Sequence, residues 1–195
     1  SNLRSMYKLK RARQGKYGGL LIRRSFACID KITFSQLFKA LVRPHLEYAN
    51  SVWCPSTKGQ SIEIEKVQRA ATKQVPGLHD MTYEERLKTL RLPTMKHRRR
   101  RGDLIEAFKM INGFYDSNVV PMFSMHTGAN TRGHNQKLRR PASRTNLGLN
   151  RFTSRIVTDW NSLPEDVVNA ESINSFKNKL DEFFNDDPSV YNYDS

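Results

Sequence analysis

The sequence predicts an all-α fold: a helical bundle, then an irregular basic loop, then two short C-terminal helices. Three observations carry that expectation. Apolar residues recur every three or four positions in successive stretches, start signals such as Thr82 with Glu85 and Ser172 precede two of them, and Pro or Gly closes others. At 195 residues the chain fits one domain or two small ones, and its 37% hydrophobic content predicts a lean core under much solvated surface.

Residues 1–19 are basic, poor in apolar side chains and closed by Gly18-Gly19, which predicts a flexible arm. A helical domain is expected over 20–113. Thr33 is a good N-cap, and Phe34, Leu37, Phe38, Leu41 and Val42 follow at helical spacing, facing a core until Pro44 kinks or ends the helix. A second stretch runs from His45 to about Trp53 and stops at Pro55. Gln60 to Val75 carries Ile64, Val67, Ala71 and Val75 on one stripe, with Glu65 four residues before Arg69 as a surface pair and Pro76-Gly77 as the stop. Thr82 and Glu85 have capping-box spacing and open a short helix with Tyr83, Leu87 and Leu90 inward. Pro93 suits the first position of the next helix, which runs to Ile111 before Gly113.

Residues 114–150 hold Pro121, Pro141, Gly128, Gly133 and Gly148 without a clear period, which predicts a long basic loop with a short strand near Lys137 to Arg140. A loop of that length in a compact domain is either functional or mobile. A C-terminal helical pair is expected over 151–184: Phe152 to Leu163 with Ile156, Val157 and Trp160, and Ile173 to Phe184 behind a Ser172 cap with Phe176, Leu180 and Phe183 inward. Residues 185–195 read as an acidic, disordered tail.

The net charge of +14 is unevenly spread. Residues 1–158 carry 31 basic and 10 acidic side chains, net +21, whereas residues 159–195 carry 2 and 9, net −7. Three patches hold no acidic residue: Arg4 to Arg24, Lys96 to Arg101, and Arg132 to Arg155. Positive fields of that kind point to phosphate. His97-Arg98-Arg99-Arg100-Arg101 lies inside a predicted helix, where four consecutive residues sweep roughly 300° and cannot share one face. At most two can follow one phosphate strand, and the others must meet solvent or carboxylates such as Asp103 and Glu106. The acidic end is expected to fold back over the basic face and screen it.

Several function classes are excluded. No run approaches the roughly 18 apolar residues that cross a bilayer, and the N-terminal segment does not read as a secretory leader, so no membrane partner is expected and an intracellular place, nucleus before cytoplasm, is. Cys28 and Cys54 make neither a disulfide framework nor a zinc spacing. Phosphate-cradling glycine loops, HExxH and GxSxG are absent, and His45, His79, His97, His126 and His134 show no paired ligand spacing. No metal, cofactor or small-molecule substrate is expected. Phe184-Asn185-Asp186-Asp187 fits the aromatic-x-Asp-Asp pattern of polymerases, but it ends a helix with no strand before it, the wrong setting for two-metal chemistry. Trp53, Trp160, Tyr48 and Phe26 have the shape of base-stacking platforms, yet beside apolar neighbours such rings are more often core anchors.

Ordered words in the chain carry a resemblance. They are Leu21-Ile22-Arg23-Arg24-Ser25-Phe26, Phe38 to Trp53 (FKALVRPHLEYANSVW), Glu65 to Arg69, Pro76-Gly77-Leu78, Tyr83 to Leu87, Arg99 to Ile105, Thr131 to His134, and Trp160-Asn161-Ser162-Leu163-Pro164. Over residues 20–184 the chain resembles the region after the palm in reverse transcriptases of non-LTR retrotransposons, LINE elements of the jockey and chicken-repeat type. The resemblance implies a thumb-like helical domain and a C-terminal region that grips RNA, DNA or their hybrid. It also implies that fingers, palm and endonuclease lie upstream of Leu20, so that this chain, beginning at Ser1, is a non-catalytic fragment or truncated copy whose partner is the upstream palm. The Cys/His knuckle of some relatives has no counterpart here. The expected phosphate contacts are Arg98, Arg99, Arg100, Arg101, Arg132, Lys137, Arg139 and Arg140, with Arg23, Arg24, Lys39 and Arg43 next. The alternative reading is a helical protein-interaction adaptor or a non-functional relic.

Overall fold

The computed structural model describes residues 30–48, 58–116, 123–126, 133–142 and 151–193. Among these the fold is all-α, with an antiparallel bridge between Met125 and Leu138 in place of any sheet. The expected arm, most of the His45 to Trp53 stretch, and Arg23, Arg24 and Arg132 lie outside the described residues. The chain forms two compact units, residues 1–99 with 188–195, and residues 100–187.

In the first unit, α1 (Lys31–Leu37) begins at Asp30, not Thr33. Asp30 Oδ1 accepts from the amides of Ile32 and Thr33, both at 2.8 Å, so the carboxylate caps the helix and Thr33 sits in its first turn. A π-helical turn, Phe38–Val42, joins α1 to α2 (Arg43–Glu47). Pro44 therefore does not end the helix: the wider turn absorbs the amide it lacks, as π-bulges do. The extra residue per turn also rotates the stripe. Phe34, Phe38, Val42 and Leu46 are buried, whereas Leu41, expected inward, is 49% exposed.

Helix α3 (Lys58–Thr72) and α4 (Tyr83–Leu90) complete the first core around Val67, Leu87, Leu90, Leu92 and Met95. The capping box is formed as predicted, Glu85 N donating to Thr82 Oγ1 and Thr82 N to Glu85 Oε2. Glu65 departs from its expected surface pairing. It is 2% exposed and accepts from Tyr83 Oη at 2.6 Å and from the Met95 amide at 3.2 Å, while Arg69 lies over the Tyr83 ring. Burial raises the Glu65 carboxyl pKa, and it raises that of the Tyr83 phenol, which the nearby carboxylate raises further. Helix α5 (Met95–Ile111) starts two residues after Pro93, where Thr94 Oγ1 accepts from the His97 amide. Within the expected tail, Pro188–Val190 form a 3-10 turn, and Thr94 donates its amide to Val190 O and its hydroxyl to Ser189 O.

The second unit takes α5 from Arg100 onward, then α6 (Phe152–Asn161), α7 (Glu165–Val168) and α8 (Ile173–Phe183). Ser172 caps α8 as expected, its Oγ accepting from Ser175 N at 3.1 Å. Trp160 is fully buried, with Phe176 stacked between it and Phe108 at centroid distances of 6.2 and 4.2 Å. Phe183, expected inward, is exposed, and Phe184 takes the buried place one position later.

Candidate nucleic-acid interface

The arginine run fans out as helical geometry requires, and each guanidinium meets an internal partner. Arg98 makes a two-pronged contact with Glu47 at 2.9 and 3.0 Å, and Arg43 reaches the same carboxylate at 3.2 Å. Buried Arg99 donates to Ser61 Oγ at 2.5 Å. Arg100 lies between Asp159 at 3.0 Å and Asp187 at 2.7 Å, with its guanidinium over the Phe184 ring. Arg101 pairs with both oxygens of Asp181, at 2.5 and 2.7 Å. The carboxylates foreseen for this run are engaged elsewhere, Asp103 with Arg155 at 2.8 and 2.9 Å and Glu106 with Lys109. Acidic residues of the C-terminal third do fold back onto basic ones, and they do so as ordered ion pairs. The polymerase-like Asp187 is one of them.

The basic loop is different. Its stretch 133–142 is pinned against α6 by hydrogen bonds that sequence reasoning missed. Asn161 binds both backbone groups of Leu138, its Oδ1 accepting from the amide at 2.8 Å and its Nδ2 donating to the carbonyl at 2.9 Å. Lys137 Nζ donates to the Asn161 carbonyl, and the Trp160 indole N–H donates to Gln136 O at 2.8 Å. Leu138 is buried in the core beneath. Arg139 N donates to Ser124 O, and His126 N to Lys137 O, which makes an isolated antiparallel bridge between Met125 and Leu138 and not the short strand expected near Lys137 to Arg140. Gly133 has φ +99°, a left-handed conformation that favours glycine, whereas the approach of a Cβ to 2.9 Å from Lys137 Nζ meets only the end of a flexible side chain. The words Gly133-His134 and Trp160-Asn161 of the sequence are thus two halves of one clasp.

His134 closes it. Its Nε2–H donates to Trp160 O at 3.1 Å, and its Nδ1 is buried without a partner. Burial, and secondarily the charge of Lys137, lowers its pKa from the usual 6.5, while the bond to Trp160 O opposes the shift. The unfolded chain therefore binds a proton below about pH 6.5 that the fold refuses, and stability should fall as pH drops through that value. Urea midpoints measured at pH 7.5 and pH 5.5 should differ more for the native chain than for His134→Gln, whose amide retains a donor to Trp160 O.

Of the predicted contacts, Lys39, Arg139 and Arg140 are exposed, and among the described residues none has a carboxylate partner. Arg140 Nη2 donates to Thr158 Oγ1 at 2.7 Å. Tyr48 is 68% exposed and Trp160 is a core anchor, while Trp53 and Phe26 lie outside the described residues. Among the described residues no three His, Cys, Asp or Glu side chains gather where one metal ion would be held, and no helix is long and apolar enough to cross a membrane. Comparison with protein-family models, curated proteins and solved structures found no match for the chain.

Proposed function

We propose that the chain is a non-catalytic, basic helical module that binds nucleic acid through its phosphates, in the manner of the region after the palm in LINE-type reverse transcriptases. The observation that carries this reading is the residue of charge left once internal pairing is counted. Acidic partners absorb Arg98, Arg100, Arg101 and Arg155, yet the chain still holds a net +14, with Lys39, Arg139 and Arg140 exposed and unmatched. The ordered family words support the same reading. Phosphate contacts are assigned to Lys39, Arg23 and Arg24 in the first unit and, separately, to Arg132, Arg139 and Arg140 in the second, and the run Arg98 to Arg101 is assigned to the fold. Phosphate contacts position a strand without reading bases, so little sequence preference is expected.

About six such contacts on a duplex give a slope near −5 for log K against log salt. Fluorescence anisotropy of a labelled RNA–DNA hybrid across a salt series measures it, and a slope near zero defeats the reading. One observation favours an adaptor instead: Ile32, Leu41 and Tyr48 are exposed apolar side chains on α1, the π turn and the residue after α2. A cooperative thermal transition without nucleic-acid binding decides for it.

A further inference from the structure

We propose that Arg139, Arg140 and Arg151 form one row that takes consecutive phosphodiesters of a single nucleic-acid strand, and that Asn161 is the positioning residue that sets the row. The proposal rests on the nucleic-acid reading and names its contact surface. Lys137 and Leu138 are bound at Asn161, and Arg140 is bound at Thr158, so the loop runs back along α6 towards the helix's N-terminus. Arg151 is the N-cap of that helix. It stands seven residues before Thr158, which at 100° and 1.5 Å per residue returns to within about 20° of the same face some ~10 Å away. All three arginines are exposed, and among the described residues none has a carboxylate partner.

The surroundings favour an anion. Arg151 gives no side-chain cap, and the first turn of α6 carries no acidic residue to offset its positive end. The nearest acid on the helix, Asp159, is already held by Arg100. A nucleic-acid strand presents evenly spaced phosphates along its backbone, so a row of three cations suits consecutive ones. A single row suits one strand rather than the two that flank a groove.

The test uses the full chain, anisotropy, and two labelled probes: a ~20-nucleotide single-stranded RNA and an RNA–DNA hybrid duplex of the same length. Arg139→Ala with Arg140→Ala and Arg151→Ala should bind the single strand about a hundredfold more weakly near 0.1 M salt, with a salt slope shallower by about 2. Lys31→Ala with Lys73→Ala and Arg91→Ala removes equal charge elsewhere and should cost far less. If the native chain binds neither probe, the nucleic-acid reading itself falls. If it binds and the row variant binds as well, or the control loses as much, the row is overturned and the reading stands. A loss confined to the hybrid overturns the one-strand assignment. Asn161→Ala keeps every arginine; a folded variant should shift its slope towards that of the row variant, and an unchanged slope removes Asn161 from the proposal.

Discussion

Trp160→Ala is expected to destabilise the second unit by about 3–5 kcal/mol, the range for emptying a large aromatic site in a core. The side chain is fully buried against Phe176, so the cavity has no solvent to fill it and little room to collapse. A second loss adds to the first. The indole N–H satisfies Gln136 O, and its removal leaves that carbonyl short of a donor and loosens the clasp on Leu138. Trp160→Phe separates the two, keeping a ring while deleting the donor, at an expected ~1–3 kcal/mol. Urea unfolding followed by circular dichroism measures both. A shift below about 1 kcal/mol for the alanine variant would mean that the aromatic stack does not hold this unit together.

Local signals were legible in the sequence, and remote ones were not. Thr82 with Glu85, and Ser172 with the stripe behind it, cap helices as their spacing predicts, because both partners lie within one turn. The failures share a cause. Thr33 lost its cap role to Asp30, three residues upstream, since a carboxylate accepts from two free amides at once. Leu41 turned outward because Pro44 forces a wider turn, a register change that a fixed period of 3.6 cannot express. Glu65 looked like half of a surface pair with Arg69, yet Tyr83, 18 residues away, draws it into the core. The site shows the same division. Arg139 and Arg140 could be named from charge alone, but Arg151 was not among the cations named, and Asn161 carries no charge, its bonds to Leu138 emerging only when a helix and a loop 23 residues apart meet.

Arg155→Leu tests whether the second unit depends on paired charge as much as on its rings. Asp103 keeps only 8% of its side chain exposed and receives two hydrogen bonds from Arg155, so the variant takes a two-pronged, charge-assisted contact away from a buried carboxylate, at an expected ~3 kcal/mol. Arg101→Gln is the counterpart. Asp181 is 54% exposed and returns to water when its partner goes, so the expected loss is below about 1 kcal/mol. Urea midpoints measure both, and equal losses would mean that burial does not set the value of these pairs. The same Arg101 variant bears on function. A guanidinium already committed to Asp181 must give up that partner before it takes a phosphate, so the exchange gains little and releases no new counterion. Its salt slope towards RNA should match that of the native chain, whereas a shallower slope would return the arginine run to the binding surface.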